Sequence, residues 1–285
     1  MRRWEGYLYV GPFLFFYLTI LVWPLFHGIT ISLHRADLFG AQRWVGFGNY
    51  ARLFADPVFG RSLLNTFLYA LLIVPTLTVI TLLLALALNR ATRSAAFLRG
   101  AFFSSSVLSV TIVTLIWRFI LTPDAGLVAV VFKSLGRDPV PFLSDPHLTL
   151  PAVAITTIWW SLGLPMMLFL AGLQQIPRDL YEAAALDRAS WWTTLTRVTL
   201  PSLRRTLVLV VMLQTAGQLQ LFGQAQLLTG GGPGGSSRPV VLFIFEAAFA
   251  RWELGYAMAA AEVLFLLVLA VTLVQYLTTQ REDVR

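Results

Sequence analysis

Apolar residues fall in blocks of about 20 along this chain, separated by short segments that carry nearly all of its charge. The blocks lie near residues 8–31, 62–88, 101–121, 150–173, 206–228 and 256–278. About 20 apolar residues wound as an α-helix cover the ~30 Å hydrocarbon core of a bilayer. The pattern therefore predicts an all-α polytopic membrane protein with six transmembrane helices.

Composition sharpens that reading. Of 285 residues, 57% are hydrophobic and 12% charged, against roughly a quarter charged in soluble domains. The formal net charge of +7 could point to nucleic acid, but the arginines sit in short loops between spans rather than on one soluble domain, so nucleic acid is set aside. With an even number of spans both termini share a side. That side holds Arg90, Arg93, Arg99, Arg178, Arg188, Arg197, Arg204 and Arg205 together with the terminal Arg2, Arg3, Arg281 and Arg285. The opposite side has longer loops and fewer cations, among them Arg35, Arg43, Arg52, Lys133 and Arg238. The bias places both termini in the cytoplasm. Met1-Arg2-Arg3 and the stretch after it read as an uncleaved first span, because that stretch exceeds the h-region of a signal peptide and lacks a small-residue cleavage site. With no cysteine, there is no disulfide, thiolate metal site or thiol nucleophile.

The outer loops carry turn chemistry: Gly46-Phe47-Gly48-Asn49-Tyr50, Thr122-Pro123-Asp124-Ala125-Gly126, and the run from Thr229 to Ser237, too rich in glycine to hold a helix. After it, residues 240–253 fit a helix lying in the outer interface. Aromatic residues near the proposed span ends (Trp4, Tyr7, Trp23, Trp117, Trp159, Trp160, Trp252 and Tyr256) suit headgroup depth. There is no internal repeat. Residues 1–60 form a first transmembrane helix with an external loop, and residues 61–278 a five-helix core with a cytoplasmic hairpin at 174–205.

The hairpin is the one long charged, amphipathic island between spans. Pro177 suits the first helical position, and Asp179 and Glu182 favour the positive end of the helix dipole. Ala183, Ala184 and Ala185 are strong helix formers that allow close approach to another surface, while Tyr181 supplies bulk. Ser190 is a good N-cap for a second helix, in which Trp191, Trp192, Leu195 and Val198 recur at near-helical spacing as far as Leu200-Pro201. A break falls between Asp187 and Ala189. The alternative for so short a charged connection is a solvated loop.

Glu182-Ala183-Ala184, then Asp187, Ala189-Ser190 and Leu200-Pro201 resemble the cytoplasmic signature of permease subunits of binding-protein-dependent ATP-binding-cassette (ABC) importers. The resemblance implies a type I importer permease fold, in which this helix sits in a cleft of the ATPase subunit and transmits its closure to the membrane helices. The implied coupling residues are Tyr181, Glu182, Ala183, Ala184, Asp187 and Arg188. The family has glycine where this chain has Arg188, and arginine resists a left-handed turn by roughly 1–2 kcal/mol. The coupling helix is therefore expected to end differently here, or the partner permease to carry the better motif. Val45-Gly46-Phe47-Gly48-Asn49-Tyr50, Leu63-Leu64-Asn65-Thr66, Leu228-Thr229-Gly230-Gly231-Gly232-Pro233 and Leu254-Gly255-Tyr256-Ala257 extend the resemblance to the carbohydrate branch, which includes maltose-type and glycerol-phosphate-type systems.

Polar groups within the spans are the candidate substrate pathway. Gln214 and Gln218, and Gln220 and Gln224, stand at i, i+4, making two nearby helical faces polar. Amides left unpaired in hydrocarbon cost several kcal/mol. They either bond neighbouring helices or line a wet pathway and exchange hydrogen bonds with sugar hydroxyls. Glu262, in the first half of the sixth span, is a functional-site candidate, a snorkelling interfacial carboxylate or the partner of an arginine. Asn65 is a pathway candidate or a packing amide, and Arg118, beside Trp117, a snorkelling cation.

No phosphate-binding Gly-x-x-x-x-Gly-Lys-Ser/Thr motif occurs, and His27, His34 and His147 are scattered. The chain is thus expected to be no enzyme and to hold no cofactor or metal. By the resemblance, ATP and Mg are bound by a partner ATPase. The implied assembly is a second permease, two ATP-binding-cassette subunits and an external solute-binding protein, set in membrane lipid and importing a sugar or sugar derivative by alternating access. The rival class is an ion-coupled secondary carrier, which would show intramembrane acids in corresponding halves; only Glu262 is on offer. An intramembrane enzyme would need a nucleophile or metal cluster at membrane depth, and the sequence supplies none.

Overall fold

The structure, a computed structural model, describes residues 5–37, 39–40, 42–123 and 125–283. Arg2, Arg3, Trp4, Asp124 and Arg285 lie outside the described residues, as do the side chains of Tyr7 and Arg281.

Among the described residues three helices are long and apolar enough to cross a bilayer: Tyr9–Ser32, Pro57–Leu88 and Leu254–Thr279. The expected third, fourth and fifth spans are instead bent pairs: Arg93–Ser105 with Val110–Leu121 at 97°, Thr149–Trp160 with Gly163–Gln174 at 48°, and Arg204–Leu219 with Gly223–Thr229 at 47°. Counting each pair as one span gives six. The unbroken third span expected over 101–121 is the largest departure. The Ser104 and Ser105 hydroxyls bond back to the carbonyls of Ala101 and Phe102, and Ser109 caps the next helix by accepting from the Ile112 N–H. Serines offer the backbone such local alternatives to the helix ladder. The second half, Val110–Leu121, is 12 residues and at 1.5 Å per residue about 18 Å long, too short to cross alone.

The chain divides into two compact units, Met1–Gly60 with Val240–Leu269 and Arg61–Pro239 with Ala270–Arg285. In the larger unit, Met166, Phe169, Leu170, Leu173, Leu203 and Val210 form a buried core with Ala85, Leu88 and Ala95, and Tyr181 packs against it. Gly172 lets two helices meet, since a Cβ there would stand 2.6 Å from Thr206 Oγ1. The breaks in the third and fourth spans are sealed by each other. The Trp160 indole N–H donates to the Leu108 carbonyl at 3.0 Å, and the Ser106 hydroxyl bonds the Trp160 carbonyl and accepts from the Gly163 N–H. Trp159 and Trp160, expected at a span end, therefore lie at the bend of the fourth span.

The glycine-rich loop of this unit is tied to the second span. Gly230, with φ 60°, closes the Gly223–Thr229 helix in the left-handed conformation. Asn65 Nδ2 donates to the carbonyls of Gly235 and Arg238 at 2.9 and 3.0 Å, and the Tyr69 hydroxyl donates to the Ser237 carbonyl at 2.9 Å.

In the smaller unit the first helix passes through a π-helical turn, Tyr17–Val22, and ends at Ser32. An antiparallel pair of short strands follows, His34–Ala36 with Gln42–Trp44, in which Arg35 faces Arg43. Buried Asn49 donates to the carbonyls of Ser32 and His34, and the hydroxyls of Tyr50 and Ser32 lie 2.7 Å apart. Residues 240–250 are helical as expected. However, Val240, Leu242, Phe243, Ala247 and Ala248 are buried in protein, so the segment does not simply float in an interface. Gly255 passes directly against the His34 carbonyl, with no room for a side chain.

Gly255→Ala would drive a Cβ into that carbonyl oxygen. Overpacking against backbone costs about 3 kcal/mol, so thermal unfolding of the purified chain should show a clear loss. Gly60→Ala, where nothing lies within 4 Å, should leave the midpoint unchanged or slightly raised.

Candidate functional site

The hairpin opens on Pro177, which stands at the N-cap and not at the expected first helical position, and the first helix runs Arg178–Leu186. Asp179 lies in its first turn, where a carboxylate is favoured by the dipole. The helix ends through Arg188, whose φ of 51° is left-handed. The Arg188 N–H donates to the Ala185 carbonyl and the Ala189 N–H to the Ala184 carbonyl. These are the paired bonds of a Schellman motif, a place usually held by glycine. The helix thus closes as it would with glycine, contrary to the expectation of a different ending. The cost, roughly 1–2 kcal/mol, is met because the loop must turn back into the second helix.

That second helix begins as expected. Ser190 Oγ accepts from the Thr193 N–H at 3.1 Å, capping Trp191–Thr194, which continues through a π-helical turn, Leu195–Thr199, to Ser202. The two arms are pinned to each other, the Tyr181 hydroxyl lying 3.2 Å from Thr199 Oγ1. Leu195, Thr199 and Leu203 are buried beneath them. The opposite face is bare: Glu182, Ala183, Asp187 and Arg188 are exposed and Ala184 half-buried. Leu186 is 85% exposed, and Trp191 and Trp192 are 69% and 65% exposed. Leu186 was not singled out from sequence, although its place four residues after Glu182 on one face was a usable signal.

The amides of the fifth span separate. Gln214, Gln218 and Gln224 are buried, with Gln218 Nε2 directed at Gln214 Oε1 at 3.4 Å. Gln220 is exposed at the bend, where it bonds the Ala216 carbonyl. Gln214 also borders a small cavity of about 90 Å³ with Leu164, Pro165, Leu168, Val210 and Leu213. Two amides that the sequence reading passed over belong with this set. Gln275 Nε2 donates to Thr215 Oγ1 at 3.0 Å, and the Oε1 atoms of Gln226 and Gln275 are buried without a partner. Asn65 has both amide hydrogens engaged by loop carbonyls. Glu262 belongs to the smaller unit, half-buried, its carboxylate against Gly28, where a Cβ would stand 3.1 Å from Oε1. Arg118 is exposed.

The smaller unit also builds a polar cluster that sequence reading missed. Arg52 pairs with Glu253 in two hydrogen bonds of 2.7 and 3.0 Å, and its guanidinium lies 4.3 Å from the Tyr256 ring centroid. The hydrogen bond with Glu253 holds the Arg52 pKa above its ordinary value. Burial alone would push the Asp56 carboxyl up. Hydrogen bonds from the Tyr256 hydroxyl and the N–H groups of Val58 and Phe59, with the charge of Arg251, outweigh that and hold it below the usual carboxylate value.

Comparison with known proteins adds three findings. The family described as "Binding-protein-dependent transport system inner membrane component" matches residues 45–283. The chain is 32% identical over 284 residues to the probable ABC transporter permease protein YurN of Bacillus subtilis (strain 168), covering 97% of each. It is also 32% identical over 270 residues to the trehalose/maltose transport system permease protein MalF of Thermococcus litoralis, covering 94% of this chain and 91% of that one. A solved bacterial ABC transporter involved in the import of the acidic polysaccharide alginate has a chain of the same fold, with TM-score 0.87 and 24% identity over 98% of this chain and 96% of that one.

The left-handed Arg188 makes a measurable difference. Arg188→Gly should stabilise the purified chain by about 1 kcal/mol, seen as a raised midpoint of thermal unfolding, whereas Arg188→Val should lower it, because β-branched residues tolerate positive φ least.

Proposed function

The chain belongs to the binding-protein-dependent transport system inner membrane components, and from that premise we propose that it is the permease subunit of an ATP-driven importer of a sugar or sugar derivative. Its relatives are transport permease subunits, not enzymes, and their names speak of trehalose, maltose and lactose. In this reading it pairs with a second permease, two ATPase subunits that bind ATP and Mg, and an external binding protein. A solved complex of a structural neighbour holds a periplasmic protein bound to an alginate pentasaccharide. The excess of arginine on the side of the hairpin supports cytoplasmic termini.

One observation carries the mechanism. A capped helix is gripped on one face by the buried core through Tyr181, and bare on the other at Glu182, Ala183, Leu186 and Asp187. Its small alanines let a partner approach closely, its carboxylates offer charge-assisted hydrogen bonds, and the uncovered leucine supplies apolar area. Arg188 shapes the turn that ends this face. A push on it passes through Tyr181 and Thr199 into the helices that hold Leu203 and Val210. The fifth span, beginning at Arg204, carries buried Gln214, Gln218 and Gln224, whose amides suit sugar hydroxyls once the bends shift and water enters. ATP-driven closure of the ATPases then biases the membrane helices between inward-facing and outward-facing states. Gln220, Glu262 and Asn65 are secondary in this scheme, Asn65 serving mainly to hold the glycine-rich loop.

Glu182→Lys tests the scheme. Radiolabelled sugar uptake by vesicles containing the whole assembly should fall to background, while the variant chain inserts and accumulates normally, because a reversed charge at a docking face costs several kcal/mol. Uptake at the wild-type rate would remove Glu182 from the coupling face. Uptake driven by an ion gradient without ATP would replace the importer with a secondary carrier.

A further inference from the structure

We propose that a basic cavity beside the hairpin is a binding site for the phosphate of an anionic phospholipid headgroup. The cavity, of about 600 Å³, is lined by Asn89, Arg90, Arg99, Arg178 and Tyr181 over a floor of Leu173 and Ile176. It gathers the end of the Pro57–Leu88 helix, the Arg93–Ser105 helix, the turn after Gln174 and the first turn of the coupling helix. Its volume lies within the range of about 300–1,000 Å³ typical of small-molecule sites.

Charge points to the ligand. Three arginines line the cavity, no acidic side chain does, and none of the three has an ion pair among the described residues. Arg99 is already fixed in place, its NH1 donating to the carbonyls of Leu88 and Arg90 at 2.8 and 3.2 Å. Its remaining nitrogens keep their donors. Arg90 and Arg178 are exposed and free to close over a ligand from two sides. Guanidinium groups match phosphate in paired, charge-assisted hydrogen bonds, and the Asn89 amide and Tyr181 hydroxyl can add neutral donors.

Depth and apolar surroundings point to lipid over free phosphate. The site stands where a long apolar helix ends, at headgroup level, and basic pockets there attract anionic lipids. The helix that supplies Arg99 also presents Phe97 at 75% exposure, with Leu98 and Phe103 at 42% each. Phe103 follows Arg99 by one helical turn, so apolar surface for an acyl chain adjoins the charge. A lipid held here would brace the first turn of the coupling helix, because Arg178 and Tyr181 belong to both.

This inference rests on the cytoplasmic placement of the hairpin, but its test reads binding and needs no transport. The full-length chain, purified in detergent, is titrated with short-chain phosphatidylglycerol and, separately, phosphatidylcholine, and occupancy is read by native mass spectrometry. Phosphatidylglycerol should bind at least about tenfold more tightly, because phosphatidylcholine carries beside the same phosphate a quaternary ammonium that three arginines repel and no acidic side chain of the cavity receives. Arg90→Ala with Arg178→Ala should erase that preference, and Arg90→Lys with Arg178→Lys should keep part of it. Unchanged tryptophan fluorescence would show that the variants are folded. Equal binding of both lipids, or a preference that survives the alanine pair, overturns the site. Displacement of bound lipid by millimolar inorganic phosphate overturns the lipid as its source. Protection of Arg90 and Arg178 from guanidine-directed labelling by the ATPase, but not by phosphatidylglycerol, assigns the cavity to protein and overturns the proposal.

Discussion

Backbone that leaves the helix at membrane depth finds no water to bond, and this chain leaves the helix repeatedly. At the breaks of the third and fourth spans and in the loop after the fifth, side chains from elsewhere in the sequence take up carbonyls and N–H groups. Trp160 serves the break after Ser105 and Ser106 the break before Gly163, while Asn65 and Tyr69 serve the loop after the fifth span. Lose those bonds and the bent spans become unaffordable, because each stranded polar group costs several kcal/mol in hydrocarbon. The bend of the fifth span in turn parts exposed Gln220 from the buried pair Gln214 and Gln218, and the hairpin stays docked on the core through Tyr181.

The hairpin shows the same trade of local strain for a global shape. Its first helix is built from alanines that any helix accepts, and nothing in their chemistry fixes where the helix stops. The stop comes from a left-handed arginine closing two backbone bonds. A residue with the wrong intrinsic preference is retained because the surrounding turn over-determines it. The face left bare is short, charged and tipped by a leucine, which suits it to the coupling role proposed for it.

How much of this was readable from the chain depends on how far apart the interacting residues lie. Helices and their membrane character follow from block length and local apolar content, so all six apolar blocks reappear as helix. Ser190 as an N-cap was legible because capping is local, and Pro177 was misplaced by one residue because N-cap and first helical positions differ only in ψ. The 97° bend was not legible, since an apolar count does not register direction. The residues of Val45 to Tyr50 and Leu254 to Ala257 were recognisable as patterns, but their work was not: Asn49 bonds the end of the first helix, and Gly255 makes room for a carbonyl. At the candidate site, Glu182, Ala183 and Asp187 were found by resemblance and proved exposed. Leu186 was overlooked although its spacing from Glu182 put it on the same helix face, whereas Gln226 and Gln275 were overlooked because an unpaired buried amide is a property of the folded chain alone.

Asn65 has a consequence for biosynthesis. The carbonyls it serves lie 170 and 173 residues further along the chain. At about 5–20 residues per second, the ribosome takes roughly 10–30 s to make them. Through that interval the second span is in the membrane with an amide that has no final partner. Insertion alone therefore cannot finish this protein, and the second span must wait at the insertion machinery, or in loose association with its neighbours, until the fifth arrives to lock it.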